Sequence, residues 1–153
     1  MKITVTKNEK PTPITILHLE GALDGANSAS LIDEAQKVFT AGVRDIIVDL
    51  IKLTFISSAG LGALHQVAQL FRGINDPEQE ESWANYRWAA YRSNSRDHNR
   101  RPQEHVKLCS PTKEVLEILD MIGFSSLFEI YTDLNQAVAS FQKTVPGMEA
   151  SLR

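Results

Sequence analysis

The run Ile46-Ile47-Val48 with Leu50, continued by Leu53 to Ile56, is apolar without alternation. A strand with one wet face alternates apolar and polar residues, so a short run that does not alternate predicts a strand covered on both faces, as in a sheet flanked by helices. Ser57-Ser58-Ala59-Gly60-Leu61-Gly62 follows, and Leu61, Leu64, Ala68 and Phe71 then recur at helical spacing. Strand, tight turn and helix within about twenty-five residues set the rhythm of an α/β unit.

The flanking segments extend that rhythm. Ile3 to Thr6 and Ile14 to Leu19 read as two strands of a hairpin, with Pro11 and Pro13 near its bend. Leu31, Ala35, Val38 and Phe39 mark a helix from Ser28 that stops near Gly42. Val106 to Cys109 reads as a strand, with Ser110 as the N-cap and Pro111 as the first residue of a helix carried by Val115, Leu119 and Ile122 to Gly123. Leu127 to Tyr131 reads as a last strand; Asp133 caps a final helix through Leu134, Val138, Phe141 and Val145. The order is ββαβα, an insertion, then βαβα. The fold class is therefore α/β, a single domain with a mixed, mostly parallel sheet flanked by helices and right-handed crossovers. The domain spans 1–145, interrupted before the fourth strand by an insertion at 73–104, and 146–153 form a flexible tail.

At 153 residues the chain is one domain's worth. Sixteen basic against nineteen acidic residues give a net charge of -3, which argues against a domain built mainly to neutralise phosphates. One cysteine, Cys109, excludes an intramolecular disulfide and a zinc thiolate cluster. The N-terminal MKITVTKNEK is too polar for a signal peptide's apolar core, and no apolar run approaches the ~18 residues of a membrane span. The expectation is a soluble cytoplasmic domain.

The turn after the central strand is where α/β folds place their sites. Enzymatic readings of it fail on geometry. Ser58 and His65 are seven residues apart on one helix, about 10 Å along its axis, and a general base must come within about 3 Å of the proton it takes. Ile56 stands where a nucleophile elbow needs glycine, and His65 where a dinucleotide fingerprint needs its third. No Gly-Lys-Ser/Thr follows, and His18, His65, His98 and His105 show no paired metal-ligand spacing. No enzyme activity, metal or cofactor is expected. Two readings of the serine pair stay open. In one, Ser57 or Ser58 caps the helix, worth about 1 kcal/mol, and the glycines allow close packing. In the other, an exposed hydroxyl beside the positive helix end is a position where a phosphate is tolerated and acts on whatever docks there.

The insertion has two readings as well. Trp83, Tyr86, Trp88 and Tyr91 interleaved with arginines from Arg87 to Arg101 are ingredients of single-strand nucleic-acid binding. Asp76, Glu78, Glu80 and Glu81 adjoin that stretch, and the whole chain is acidic. The favoured reading is an accessory helix over 78–92, acidic at its N-terminal end, followed by a polar loop over 94–103; direct nucleic-acid binding through 83–101 is the alternative.

Ile47-Val48-Asp49-Leu50 through Leu53-Thr54-Phe55-Ile56-Ser57-Ser58-Ala59-Gly60-Leu61-Gly62-Ala63-Leu64 resembles the signature of the STAS domain of bacterial anti-sigma-factor antagonists. Gly21-Ala22-Leu23-Asp24 is similar to the family's link between second strand and first helix, and Ser110-Pro111 through Phe124 to its later strand-to-helix turn and third helix. The resemblance implies a STAS-like fold and an antagonist that binds an anti-sigma factor which is also a serine kinase. Phosphorylation of the serine at the helix start ends the binding, and a phosphatase restores it. The phosphoacceptor then falls on Ser58, with Ser57 the lesser alternative, and the partner covers Asp24, Ser57, Ser58, Ala59, Gly60, Leu61 and Gly62. The family's motif is Asp-Ser-Ser/Thr-Gly; here Ser57 replaces the acid and Ala59 the second hydroxyl. The resemblance also admits a STAS subunit that docks in a lipid-transport or sensory complex without a phosphoswitch.

Overall fold

The structure, a computed structural model, describes residues 1–9, 13–72 and 103–142. Five strands form one sheet in the order β1(Lys2–Asn8), β2(Ile14–Leu23), β3(Ile46–Ile56), β4(Gln103–Cys109), β5(Phe128–Tyr131). β1 runs antiparallel to β2, and the other neighbours are parallel. Helices α1(Ser28–Thr40), α2(Ser58–Arg72) and α3(Lys113–Met121) lie between successive parallel strands, α4(Leu134–Gln142) follows β5, and a 3-10 turn spans Phe124–Ser126. This is the mixed, mostly parallel sheet that the periodicity predicts.

The non-alternating run works as expected, because β3 feeds two cores. Ile46, Val48 and Leu50 join the larger cluster with Leu31 and Ala35 of α1, Leu64 and Val67 of α2, and Val115 and Leu119 of α3. Ile47 points to the smaller cluster, where Ala137 and Phe141 of α4 cover Ile14, Ile16 and Cys109. Each buried aliphatic side chain contributes about 1.5–3 kcal/mol, so covering both faces of one strand is a large local source of stability. α1 and α2 lie side by side, with Phe39 and Phe71 meeting edge to face at 5.2 Å between centroids.

The run Ile46–Leu50 and its continuation Leu53–Ile56 form one strand, as the sequence order implies. His18 pairs with Asp49 but Glu20 with Lys52, and Gly21 pairs with Leu53 but Ala22 with Phe55. β3 thus carries an extra residue at each step, and such bulges shift which side chains face inward. The buried positions become Leu50, Leu53 and Ile56, a spacing of three that looks helical in sequence.

The helix after β4 starts later than expected. Thr112, not Ser110, is its N-cap, accepting a hydrogen bond from the Val115 amide at 3.3 Å. Ser110 instead adopts φ 56°, and Pro111 precedes the cap. The cause is geometric: the Ser110 amide bonds the Tyr131 carbonyl at 2.8 Å, which prolongs the sheet edge before the chain turns. Asp133 does accept from the Gln136 amide, at 2.8 Å, as a cap should. β4 begins at Gln103. The expected insertion 73–104 is shorter by its last two residues, since Gln103 and Glu104 already belong to β4; the rest of it, 73–102, with its accessory helix and the alternative nucleic-acid surface, lies outside the described residues, as do Pro11, Val145 and the tail 146–153.

α4 is seated by the smaller cluster together with a buried lysine. Lys107, 1% exposed, donates to Ser140 Oγ at 2.9 Å, lies 3.5 Å from Glu129 and sits 4.2 Å above the Phe141 ring. Removing the ring opens a cavity and strips a face from the ammonium. Phe141→Ala is therefore expected to cost about 3–5 kcal/mol, read as a lowered midpoint in urea-induced unfolding.

Candidate functional site

The carboxyl ends of β2 and β3 meet at one corner. Ser57 N–H donates to the Leu23 carbonyl at 2.9 Å, so the last residues of β2 hold the start of α2. A Cβ on Gly60 would stand 2.6 Å from the Leu23 carbonyl oxygen and 2.9 Å from Leu23 Cγ. Only glycine allows this approach. A Cβ on Gly25 would lie 3.7 Å from Ala59 Cβ, so the turn after β2 also packs on the first turn of α2. The structure thereby brings Asp24, Ser57, Ser58, Ala59 and Gly60 to one corner, although Gly60, Leu61 and Gly62 are buried inside it.

The two serines differ in role. Ser57 is half-buried, and its Oγ accepts from the Gly60 amide at 3.2 Å, which makes it the N-cap. Ser58 is the first residue of α2 and is exposed. Here the capping reading holds for Ser57, and Ser58 is left outward at the positive end of the helix. Asp24 is half-buried and organises its own turn: its Oδ1 accepts from the Ala26 amide at 2.9 Å, while its amide donates to Asn27 Oδ1 at 2.9 Å. It serves as a turn residue.

Sequence reasoning missed a second polar assembly on the sheet face that α4 half covers. Thr6 Oγ1 lies 2.8 Å from His18 Nε2, and His18 Nδ1 lies 2.7 Å from Asp49 Oδ2. Asp49 is 7% exposed, and its Oδ1 accepts from the Ile51 amide at 3.1 Å and from Cys109 Sγ at 3.6 Å. Burial, followed by the Asp49 charge, pushes the Cys109 thiol up to about 12 from 9.0. The residues stand 12 and 31 apart in sequence, so no spacing motif could reveal them. The one signal was an aspartate inside the apolar run of β3.

Among the described residues no group of three or more His, Cys, Asp or Glu is placed to hold a metal, and no helix is long and apolar enough to cross a membrane.

A mixed five-stranded sheet with an exposed serine opening the helix after its central strand defines a STAS-like domain. The sequence model of the STAS domain matches residues 4–75 of this chain. A relative in Bordetella bronchiseptica, BtrV, whose name proposes it as an anti-sigma factor antagonist, is 26% identical over 95% of this chain and 99% of its own length. An anti-sigma factor antagonist from Mycobacterium paratuberculosis shares the fold at a TM-score of 0.62 and 13% identity, over 92% of this chain and 95% of that one. The antagonist SpoIIAA in its unphosphorylated form matches at a TM-score of 0.52 and 14% identity, over 93% of this chain and 100% of that one.

Two stability outcomes follow from the corner. Gly60→Ala forces the new methyl against a backbone oxygen and is expected to cost about 1–3 kcal/mol. Ser57→Ala loses a cap and should cost about 1 kcal/mol, read as a lowered thermal midpoint. For Cys109 the sign is that of an acid raised on folding: the folded state keeps a proton that the unfolded state releases. Its contribution to stability is full below pH 9.0 and is lost as pH rises toward about 12. At pH 8 a maleimide should label the thiol in urea and leave the native protein unlabelled, as mass spectrometry would read.

Proposed function

We propose that this chain is an anti-sigma-factor antagonist acting in the cytoplasm, that it binds an anti-sigma serine kinase through the corner of Asp24, Ser57, Ser58 and the first turn of α2, and that phosphorylation of Ser58 ends the binding until a phosphatase reverses it. The division of labour between the serines carries this reading. The Ser57 hydroxyl is engaged in capping and half-buried, whereas Ser58 is exposed at the first helical position. A phosphate on Ser58 meets the positive end of α2, which is neutral to favourable by about 0.3–1 kcal/mol. Its two charges and bulk therefore act on the docked partner, and the fold survives.

The departure at Ser57 fits the same scheme. Serine and aspartate are nearly equal as N-caps, so Ser57 keeps the capping function that an acid would have there and removes a negative charge beside the incoming phosphate. A family relation to antagonists supports the partner class, since the 26% identical relative matches nearly end to end and the SpoIIAA fold has also been solved in a phosphorylated form.

The test begins with co-purification of the partner kinase and mapping of the phosphate after incubation with ATP. The phosphate is expected on Ser58. Ser58→Asp should weaken binding to that kinase at least tenfold by calorimetry, since a charge buried in an interface costs several kcal/mol, with the thermal midpoint nearly unchanged. Phosphate on Ser57 alone, or on neither serine, overturns the switch and favours a subunit that docks without it.

A further inference from the structure

The Thr6, His18 and Asp49 chain lies away from the corner and has no part in the proposed switch. Its order follows from cross-strand register. β1 and β2 place Thr6 opposite Ile16 and Thr4 opposite His18, and β2 and β3 place His18 opposite Asp49. Ile16 belongs to the cluster under α4, so these residues share the face that α4 covers only in part. Beyond α4 the face opens into a cavity of about 240 Å³ lined by Thr4, Thr6, His18, Glu20, Ile51 and Lys52. Ile51 is 60% exposed on its wall.

The hydrogen bonds assign the imidazole tautomer. An ionised carboxylate only accepts, so Asp49 Oδ2 takes the proton of His18 Nδ1 at 2.7 Å. In the neutral ring Nε2 then presents a lone pair, and the Thr6 hydroxyl donates to it at 2.8 Å. Asp49 is itself held by the Ile51 amide and the Cys109 thiol, which keeps the ring in one orientation. A hydroxyl donating to an imidazole whose other nitrogen is fixed by a buried carboxylate is the arrangement that activates an alcohol as a nucleophile.

We propose that Thr6 is a covalent acyl-acceptor site, modified by short-chain activated esters or thioesters that fit the cavity. Thr6 Oγ1 forms a bond to the acyl carbon while the bond from that carbon to the leaving oxygen or sulfur breaks. The hydroxyl proton passes to His18 Nε2 and from there to the departing group. Asp49 is a positioning residue, and Lys52, which also lines the cavity, is the cation nearest at hand for the negative charge that develops on the carbonyl oxygen. The product is an O-acyl threonine at the edge of the sheet, a mark separate from the serine at the corner.

The probe is p-nitrophenyl acetate with the full chain, followed by digestion and tandem mass spectrometry of the peptide bearing Thr4 and Thr6. Acetate is expected on Thr6, and lysine acetylation in the same digest serves as the internal reference. Thr6→Val removes the adduct, and Thr6→Ser retains it. His18→Ala lowers it at least tenfold, and imidazole added to the solution restores it, which a purely structural role of the ring would not allow. Asp49→Asn keeps the shape but donates to Nδ1, so Nε2 carries the proton and cannot accept another; it lowers the adduct at least tenfold at an unchanged thermal midpoint. Acetate on lysines alone, on Thr4 in place of Thr6, or on Thr6 at an undiminished rate in a folded His18→Ala or Asp49→Asn protein overturns the proposal.

Discussion

The central strand β3 is covered on both faces, and the rest of the molecule is arranged by that requirement. Ile46, Val48 and Leu50 face one cluster and Ile47 the other, so helices are needed on each side, and α1, α2 and α3 supply one face while α4 supplies the other. Because a parallel neighbour needs a crossover, β3, β4 and β5 are each reached by way of a helix, α1, α2 and α3 in turn, and only β1 and β2 pair antiparallel. The two bulges in β3 let its last turn of side chains keep burying, at Leu53 and Ile56, as the strand twists toward the corner.

The corner is a consequence of packing before it is a functional surface. α2 starts close enough to β2 that Gly60 lies against the Leu23 carbonyl, and the bond from Ser57 N–H to that same carbonyl fixes the approach. With the start of α2 fixed in this way, the cap must come from the residue just before the helix, and the next residue must point outward. Ser57 and Ser58 fill those places. The geometry asks for a hydroxyl or carboxyl cap and a small residue at the close contact; it asks little of the other identities.

The opposite face shows how a polar group survives within an apolar strand. Asp49 is buried, yet each of its oxygens has a donor, from His18, the Ile51 amide and the Cys109 thiol. Lys107 lies under α4 on the same principle, with Ser140, Glu129 and the Phe141 ring around its ammonium. An unpaired charge in either place would cost several kcal/mol, so both networks are conditions for the smaller cluster to close.

Element types were legible from the sequence because hydrophobic period depends on local geometry alone: the doubly covered β3, the stripe of α2, the cap at Asp133 and the mixed α/β sheet all follow from neighbours along the chain. The turn of Ser57 to Gly62 was legible for the same reason, and so was the choice between capping and exposure as the question to ask there. Which serine caps was decided by tertiary structure, since the answer depends on where the Leu23 carbonyl stops the start of α2. The move of the cap from Ser110 to Thr112 came from a bond to Tyr131 on another strand. The joining of Thr6, His18 and Asp49 also came from strand pairing, for a sheet sets side by side residues that the sequence separates by 12 and 31 positions, and register is a property of the whole packed sheet.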